Sequence, residues 1–218
     1  MLVMPSKIIE CQQGTPEWHQ ARICRVTSSR VADMMARTKT GWGASRANYE
    51  AQLIAEHYRG SVAEPGFQSK EMLWGNETQP KAEKAYNLLY DCKVEPIGFV
   101  SMNDFMAGAS PDGLVGNDGL VEIKCPNTAT HIETLLNETI PGKYLDQMQW
   151  QMFCTGRTWC DYVSYDPRIE PHLQMYVKRV HRNEKGIIEL VTGAREFLAT
   201  MYTKIATIDR KYPRRVAA

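Results

Sequence analysis

Up to about residue 90 the apolar positions recur at helical spacing, and beyond it the pattern shortens to strands before helices return. The stretch "TPEWHQARI" (15–23) offers Thr15 as an N-cap, Pro16 at the first helical position and Glu17 beside it. Thr27 or Ser28 offers a second cap, ahead of "RVADMMA". Residues 38–45 read as a mobile loop, with helix resuming from Arg46 to about Arg59. A further helix covers about residues 70–90, and Pro80 inside it is expected to kink or restart it. "KVEPIGFV" (93–100), "FMAGASPD" (105–112) and "GLVEIKC" (119–125) read as three strands. The last two are joined across "GLVGNDG" (113–119), where Gly116, Asn117, Asp118 and Gly119 favour a tight reversal. Helices follow at about 128–137 and over "GKYLDQMQWQMFCTG" (142–156), the second stopped by Gly156. "TWCDYVSYD" (158–166) and "HLQMYVKRV" (172–180) supply two more strands, and a long helix begins after Asn183 and ends near Pro213.

Strands with helices before and after predict an α/β fold, a mixed central β-sheet of about five strands flanked by helices. The expected organisation is a single domain over 1–218: a helical part (about 1–90), a sheet core (about 91–180) and a C-terminal helix (about 183–212). A chain of 218 residues suits one sizeable domain, and 43% hydrophobic with 23% charged residues is the composition of a folded protein. The net charge of +1 carries no global basic excess, so any nucleic-acid binding must come from a local patch or from assembly geometry. Six cysteines without a Cys-x-x-Cys pair read as free thiols of a reducing cytosol. "MLVMPSKIIE" has no signal-peptide core and no apolar run reaches membrane-spanning length, so a soluble cytoplasmic protein is expected.

The chemistry concentrates in "GASPDGLVGNDGLVEIKCP" (108–126). Strand alternation puts Glu122 and Lys124 on one face and Val121, Ile123 and Cys125 on the other. The hairpin brings Asp112 close to Glu122, and two neighbouring carboxylates call for a cation between them. Mg²⁺, held by Asp112, Glu122 and the Ile123 carbonyl, suits such a pair, with Lys124 steadying the attacking water or a phosphate. On spacing alone, a turn aspartate with a cross-strand Glu and Lys on a solvated face is the competing reading.

Pro111-Asp112 followed by Glu122-x-Lys124 resembles the P-D…(D/E)-x-K signature of the restriction-endonuclease-like nucleases. "GTPEWHQARICRVTSS", "LWGNETQPKAEKAY", "AGASPDGLV", "GLVEIKCP", "YLDQMQWQMFCTG" and "YVSYDPR" further resemble phage lambda exonuclease and its YqaJ-type viral recombinase relatives, in the family's order across residues 14–168. The resemblance implies a restriction-endonuclease-like core. It implies a Mg²⁺-dependent, processive 5′→3′ exonuclease on linear double-stranded DNA, with Mn²⁺ as a substitute. Such an enzyme releases 5′-mononucleotides and leaves a 3′ overhang for annealing-type recombination. It also implies a homotrimeric ring that encloses DNA, a single-strand annealing protein as partner, and a phage or prophage-like origin in a bacterial cytoplasm. A ring stays on DNA by topology, which answers the small net charge.

Carried over by matching motifs, Asp112 and Glu122 are the metal ligands and Lys124 the catalytic lysine. Arg22, Ser29, Ser110 and Gln147 match the pocket for the terminal 5′-phosphate, with Tyr144 on the same helical stripe as Gln147 and Gln151. Without the resemblance that stripe reads as a solvated face. Trp18 matches a residue that helps split the duplex end, and Lys39 a basic loop residue that tracks the minor groove. One position departs from the pattern: the family usually carries Glu four residues after the Gly of "WGNETQ", and here it is Gln79. Glu77 sits on the opposite side of that helix. An endonuclease of the same fold and a catalytically weak DNA-end-binding module stay open beside the exonuclease.

Overall fold

The structure, a computed structural model, describes residues 6–61 and 69–213. The N-terminal part runs β1 (Ser6–Ile9), α1 (Pro16–Arg22), β2 (Val26–Thr27), α2 (Val31–Met35), β3 (Arg37–Thr38), β4 (Gly41–Trp42) and α3 (Ala44–Arg59). Then come α4 (Lys70–Tyr90), β5 (Val94–Glu95), β6 (Phe99–Met102), β7 (Ala107–Ala109), β8 (Gly113–Val115), β9 (Gly119–Lys124), α5 (Thr128–Asn137) and α6 (Gly142–Thr155). β10 (Trp159–Tyr165), β11 (Met175–His181) and α7 (Glu184–Lys211) complete the described chain.

The caps behave as their side chains dictate. The Thr15 hydroxyl accepts the Trp18 N–H, and the Asn127 and Asn183 side chains accept the third N–H beyond them at the starts of α5 and α7. Gly156 ends α6 at φ +73, a conformation that costs glycine no Cβ clash. Thr27 precedes a 3-10 turn (Ser28–Arg30) but its side chain does not cap it.

Four expectations change. Residues 38–45 are not a loop throughout: β3 and β4 pair, α3 starts at Ala44, and the Trp42 ring lies between Arg37 and Arg46 at 3.8 and 3.7 Å. α4 is one helix from Lys70 to Tyr90 and does not restart at Pro80. Its buried residues Ala82 and Tyr86 pack with Val94, Val121, Ile123 and Val163, and that apolar contact holds the helix together where one backbone bond is missing. Residues 93–100 are two strands, split at Pro96 and belonging to different sheets. The hairpin partner of β9 is β8, not the preceding strand β7, which stops at Ala109.

β5, β8, β9, β10 and β11 form a five-stranded mixed sheet in the order β11-β10-β9-β8-β5, with only β9 and β10 parallel. β1, β6, β7 and β2 form a second, four-stranded sheet that the sequence pattern did not announce. The chain crosses between the sheets over Ser110, Pro111 and Asp112, at the point where the candidate chemistry lies. α4 covers one face of β9 through the Val121 and Ile123 side chains. α6 covers the other, with Met148 and Met152 against Leu120, Cys160 and Tyr162. A third apolar cluster, with Trp150, Phe153, Ile187 and Phe197, joins α6 to α2, α3 and α7.

Gly119 opens β9 beneath Trp159, whose ring is held at 3.5 Å by Arg179. A Cβ at position 119 would stand 2.1 Å from that ring. Gly119→Ala is expected to destabilise the fold by roughly 1–3 kcal/mol, read as a lower midpoint in urea unfolding. All six cysteines are free, and no helix among the described residues is long and apolar enough to cross a membrane.

Candidate active site

β8 and β9 pair with Gly113 opposite Val121, so the register carried one residue further sets Asp112 opposite Glu122. Asp112 is fixed by its own chain: its Oδ2 accepts the Ile123 N–H at 2.6 Å, and the Gln79 amide also donates to its carboxylate. Pro111 in turn is held by Gln13, whose side-chain amide donates to its carbonyl at 2.7 Å.

Glu122 is only 1% exposed. A buried carboxylate needs donors, and α6 supplies them: Gln147 Nε2 donates to Oε1 and Gln151 Nε2 to Oε2, each at 2.6 Å. Lys124 Nζ pairs with Oε1 and lies 5.0 Å over the Tyr144 ring, which stacks on Tyr162. The stripe Tyr144, Gln147, Gln151 is therefore the inner face of α6, not a solvated one. Gln151, fully buried, is a member of the site that sequence reasoning passed over. The signal was present: a glutamate on a covered strand face requires donors, and glutamines at i and i+4 supply them from one helix face.

Burial and then the Glu122 charge push the Asp112 carboxyl up to about 7, against the opposing pull of Lys124, the Ile123 N–H and Gln79. Burial alone would lower Lys124, but Glu122 and Asp112 outweigh it and hold its ammonium well above the ordinary lysine range. The pair of acids is thus short of positive charge even with Lys124 present. Among the described residues no cluster of three or more His, Cys, Asp or Glu exists. The oxygen donors at hand are two carboxylates, the Ile123 carbonyl and the Gln79 amide. That hard, carboxylate-poor set fits Mg²⁺, which keeps several of its waters. The cleft beside these groups measures about 410 Å³ and is lined by Gly75, Asn76, Gln79, Ile123, Lys124 and Tyr144 among others. Glu77 is exposed on α4.

A second group sits two residues upstream of Asp112. Ser110 Oγ accepts the Trp18 Nε1–H at 2.8 Å, and the Arg22 guanidinium lies 4.0 Å over the Trp18 ring. Burial, with Arg30 adding to it, brings Arg22 down to about 10, although Tyr49 and Glu56 pull the other way. Among the described residues Arg22 makes no ion pair, and its one hydrogen bond is a 3.5 Å contact to Thr27 Oγ1. Most of its five donors are therefore free for an anion. Ser29 is exposed in the 3-10 turn after β2, a turn that rests against α6. Gln147 is engaged with Glu122 rather than grouped with Arg22. Lys39 is exposed at the tip of the β3–β4 hairpin, and no contact ties it to either group.

A model of the YqaJ-like viral recombinase domain matches residues 17–158. No curated protein matches the chain. Among solved structures, the alkaline exonuclease LHK-Exo of Laribacter hongkongensis is 43% identical, with a TM-score of 0.84 over 90% of this chain and 97% of that one. The structure of LHK-Exo in complex with dAMP matches equally well. A phage-related exonuclease from Haemophilus somnus 129PT, at 15% identity and a TM-score of 0.65 over 83% of this chain and 96% of that one, shares the fold.

Proposed function

The chain belongs to the family of YqaJ-like viral recombinase domains, and from that membership and the geometry of the site we propose that it is a Mg²⁺-dependent 5′→3′ exonuclease on linear double-stranded DNA. One observation carries the reading. Ser110 and Asp112 flank a single proline, so the stretch that carries one acid of the charge-hungry pair also touches the Trp18 ring on which the desolvated Arg22 guanidinium lies. A site that grips an end-phosphate and hydrolyses a neighbouring phosphodiester requires that juxtaposition. The relative LHK-Exo is an alkaline exonuclease crystallised with dAMP, a mononucleotide of the kind such a reaction releases.

In this proposal Asp112, Glu122 and the Ile123 carbonyl hold Mg²⁺, or Mn²⁺ in its place. The bound metal lowers the pKa of a water and offsets phosphate charge. Gln147 and Gln151 orient Glu122 by donating to both of its oxygens. Lys124, kept charged by two acids, steadies the attacking water and the scissile phosphate electrostatically. Arg22, Ser110 and Ser29 hold the terminal 5′-phosphate, and Trp18 stacks on the frayed end. Gln147 has a second amide N–H for that phosphate besides the one it gives Glu122. Tyr144 lines the strand path, and Lys39 follows the duplex from its hairpin. Gln79, neutral where the family carries a carboxylate, orients Asp112 and leaves the site with two acids. Processive action comes from a homotrimeric ring, and the 3′ overhang passes to a single-strand annealing protein in the cytoplasm of a bacterial host.

The test compares 5′-phosphorylated linear duplex with covalently closed circular duplex. Mg²⁺-dependent mononucleotide release from the linear form, stopped by EDTA, with the circle left intact, is the expected result. Nicking of the circle would identify an endonuclease of this fold instead. End binding with no release, recovered by Gln79→Glu, would identify a weakened end-binding module.

A further inference from the structure

Glycine inside a helix is less favourable than alanine, because it gives up more chain entropy on folding. Each one therefore has a reason. For most described glycines the reason is local. Gly116 and Gly156 adopt positive φ, and a Cβ at Gly108, Gly113 or Gly119 would come within 2.2 Å of Phe99, Val94 or Trp159. Beyond the first turn of a helix the described residues include two, Gly193 in α7 and Gly75 in α4. Gly193 is explained by packing, since its Cβ would stand 2.4 Å from Met35 Sδ. Gly75 is not. Its φ is ordinary, and among the described residues outside its own stretch of helix no heavy atom lies within 4 Å of the Cβ it lacks.

Gly75 does line the cleft, together with Gln79, Ile123, Lys124 and Tyr144. Asn76, also in the cleft wall, has a carbonyl with no helical partner four residues on, because Pro80 has no N–H. At Gly75 the α4 wall of the cleft is therefore backbone alone, set among the side chains of Met72, Asn76 and Gln79 and across from Lys124.

We propose that Gly75 is where the bound DNA strand passes in van der Waals contact with the backbone of α4, so that the missing side chain is clearance for the sugar-phosphate of the substrate. The inference rests on the exonuclease reading of the cleft. It makes Gly75 a substrate-positioning residue whose cost to the helix is offset only when DNA is bound.

Gly75→Ala and Gly75→Leu test it. Both residues favour helix and the position is open, so each variant is expected to melt about 1–4 °C above wild type. Binding is read by fluorescence anisotropy on a labelled 5′-phosphorylated duplex, with Ca²⁺ replacing Mg²⁺ to hold off cleavage. The dissociation constant is expected to rise about threefold with alanine and about tenfold or more with leucine. In Mg²⁺ the same rise should appear in KM, with kcat changed by less than about twofold. Unchanged affinity beside a raised melting temperature would overturn the inference. A lowered melting temperature with a matching loss of kcat would also overturn it, by assigning Gly75 to packing. Wild-type protein that binds duplex without releasing mononucleotides would overturn the exonuclease reading alone, and the ratio of dissociation constants would still decide Gly75.

Discussion

Asp112→Asn is expected to cut mononucleotide release from 5′-phosphorylated linear duplex by about a hundredfold to a thousandfold, while making the metal-free fold more stable at neutral pH. The two effects share one cause. The Asp112 carboxyl is pushed from 3.8 up to about 7 by burial and by Glu122, so its ionised form is disfavoured in the fold. A group whose folded pKa is raised contributes stability that is complete below its unfolded pKa and is lost as pH rises through the folded one. For Asp112 the loss runs from about 4 to about 7 and then levels off. Asparagine has nothing to ionise. In EDTA the wild-type melting temperature should therefore fall relative to the variant across that window. Added Mg²⁺ should restore the wild type and leave the variant unmoved. A constant difference between the two proteins from pH 4 to pH 8 would mean that Asp112 carries no such strain, and that its role in holding a cation is wrong.

The acid pair was legible in the sequence because β-strand alternation and a glycine-rich turn are local rules. Glu122 and Lys124 had to share a face, and Gly116 to Gly119 had to reverse the chain. The helix around 142–156 was legible for the same reason, through its terminal glycine. What failed was non-local. Pro96 divides one apolar run between two sheets, and no periodicity within eight residues records which sheet each half joins. The strands β1 and β2 are short and gain their stability from β6 and β7, far along the chain. Pro80 argued for a break in α4, and the burial of Ala82 and Tyr86 against β9 outweighed it. The Gln151 contact was hidden because helix periodicity says which residues share a face but not what the face meets. Its partner, Glu122, lies 29 residues away.

Arg22→Ala is expected to abolish the preference for phosphorylated ends. Arg22 is desolvated to the point that its pKa falls to about 10, yet it remains a full cation at neutral pH. Among the described residues its guanidinium makes one hydrogen bond, a long one, so little of its charge is used internally. Removing a charge-assisted contact of that kind costs about 2–5 kcal/mol, and kcat/KM on 5′-phosphorylated duplex should fall about thirtyfold or more. On 5′-hydroxyl duplex, which offers no dianion, the loss should stay below about threefold, the scale of a weak packing effect. Arg22→Lys keeps the charge without the planar fork and should fall between the two on phosphorylated ends. The fold should tolerate the alanine: Trp18 keeps its bond to Ser110, and an unpaired cation leaves the interior. An equal loss on both kinds of end, together with a lower melting temperature, would instead make Arg22 a structural clamp on the Trp18 ring. The end-phosphate would then have to be read elsewhere, and the pairing of a phosphate grip with the Asp112–Glu122 site that carries the exonuclease reading would dissolve.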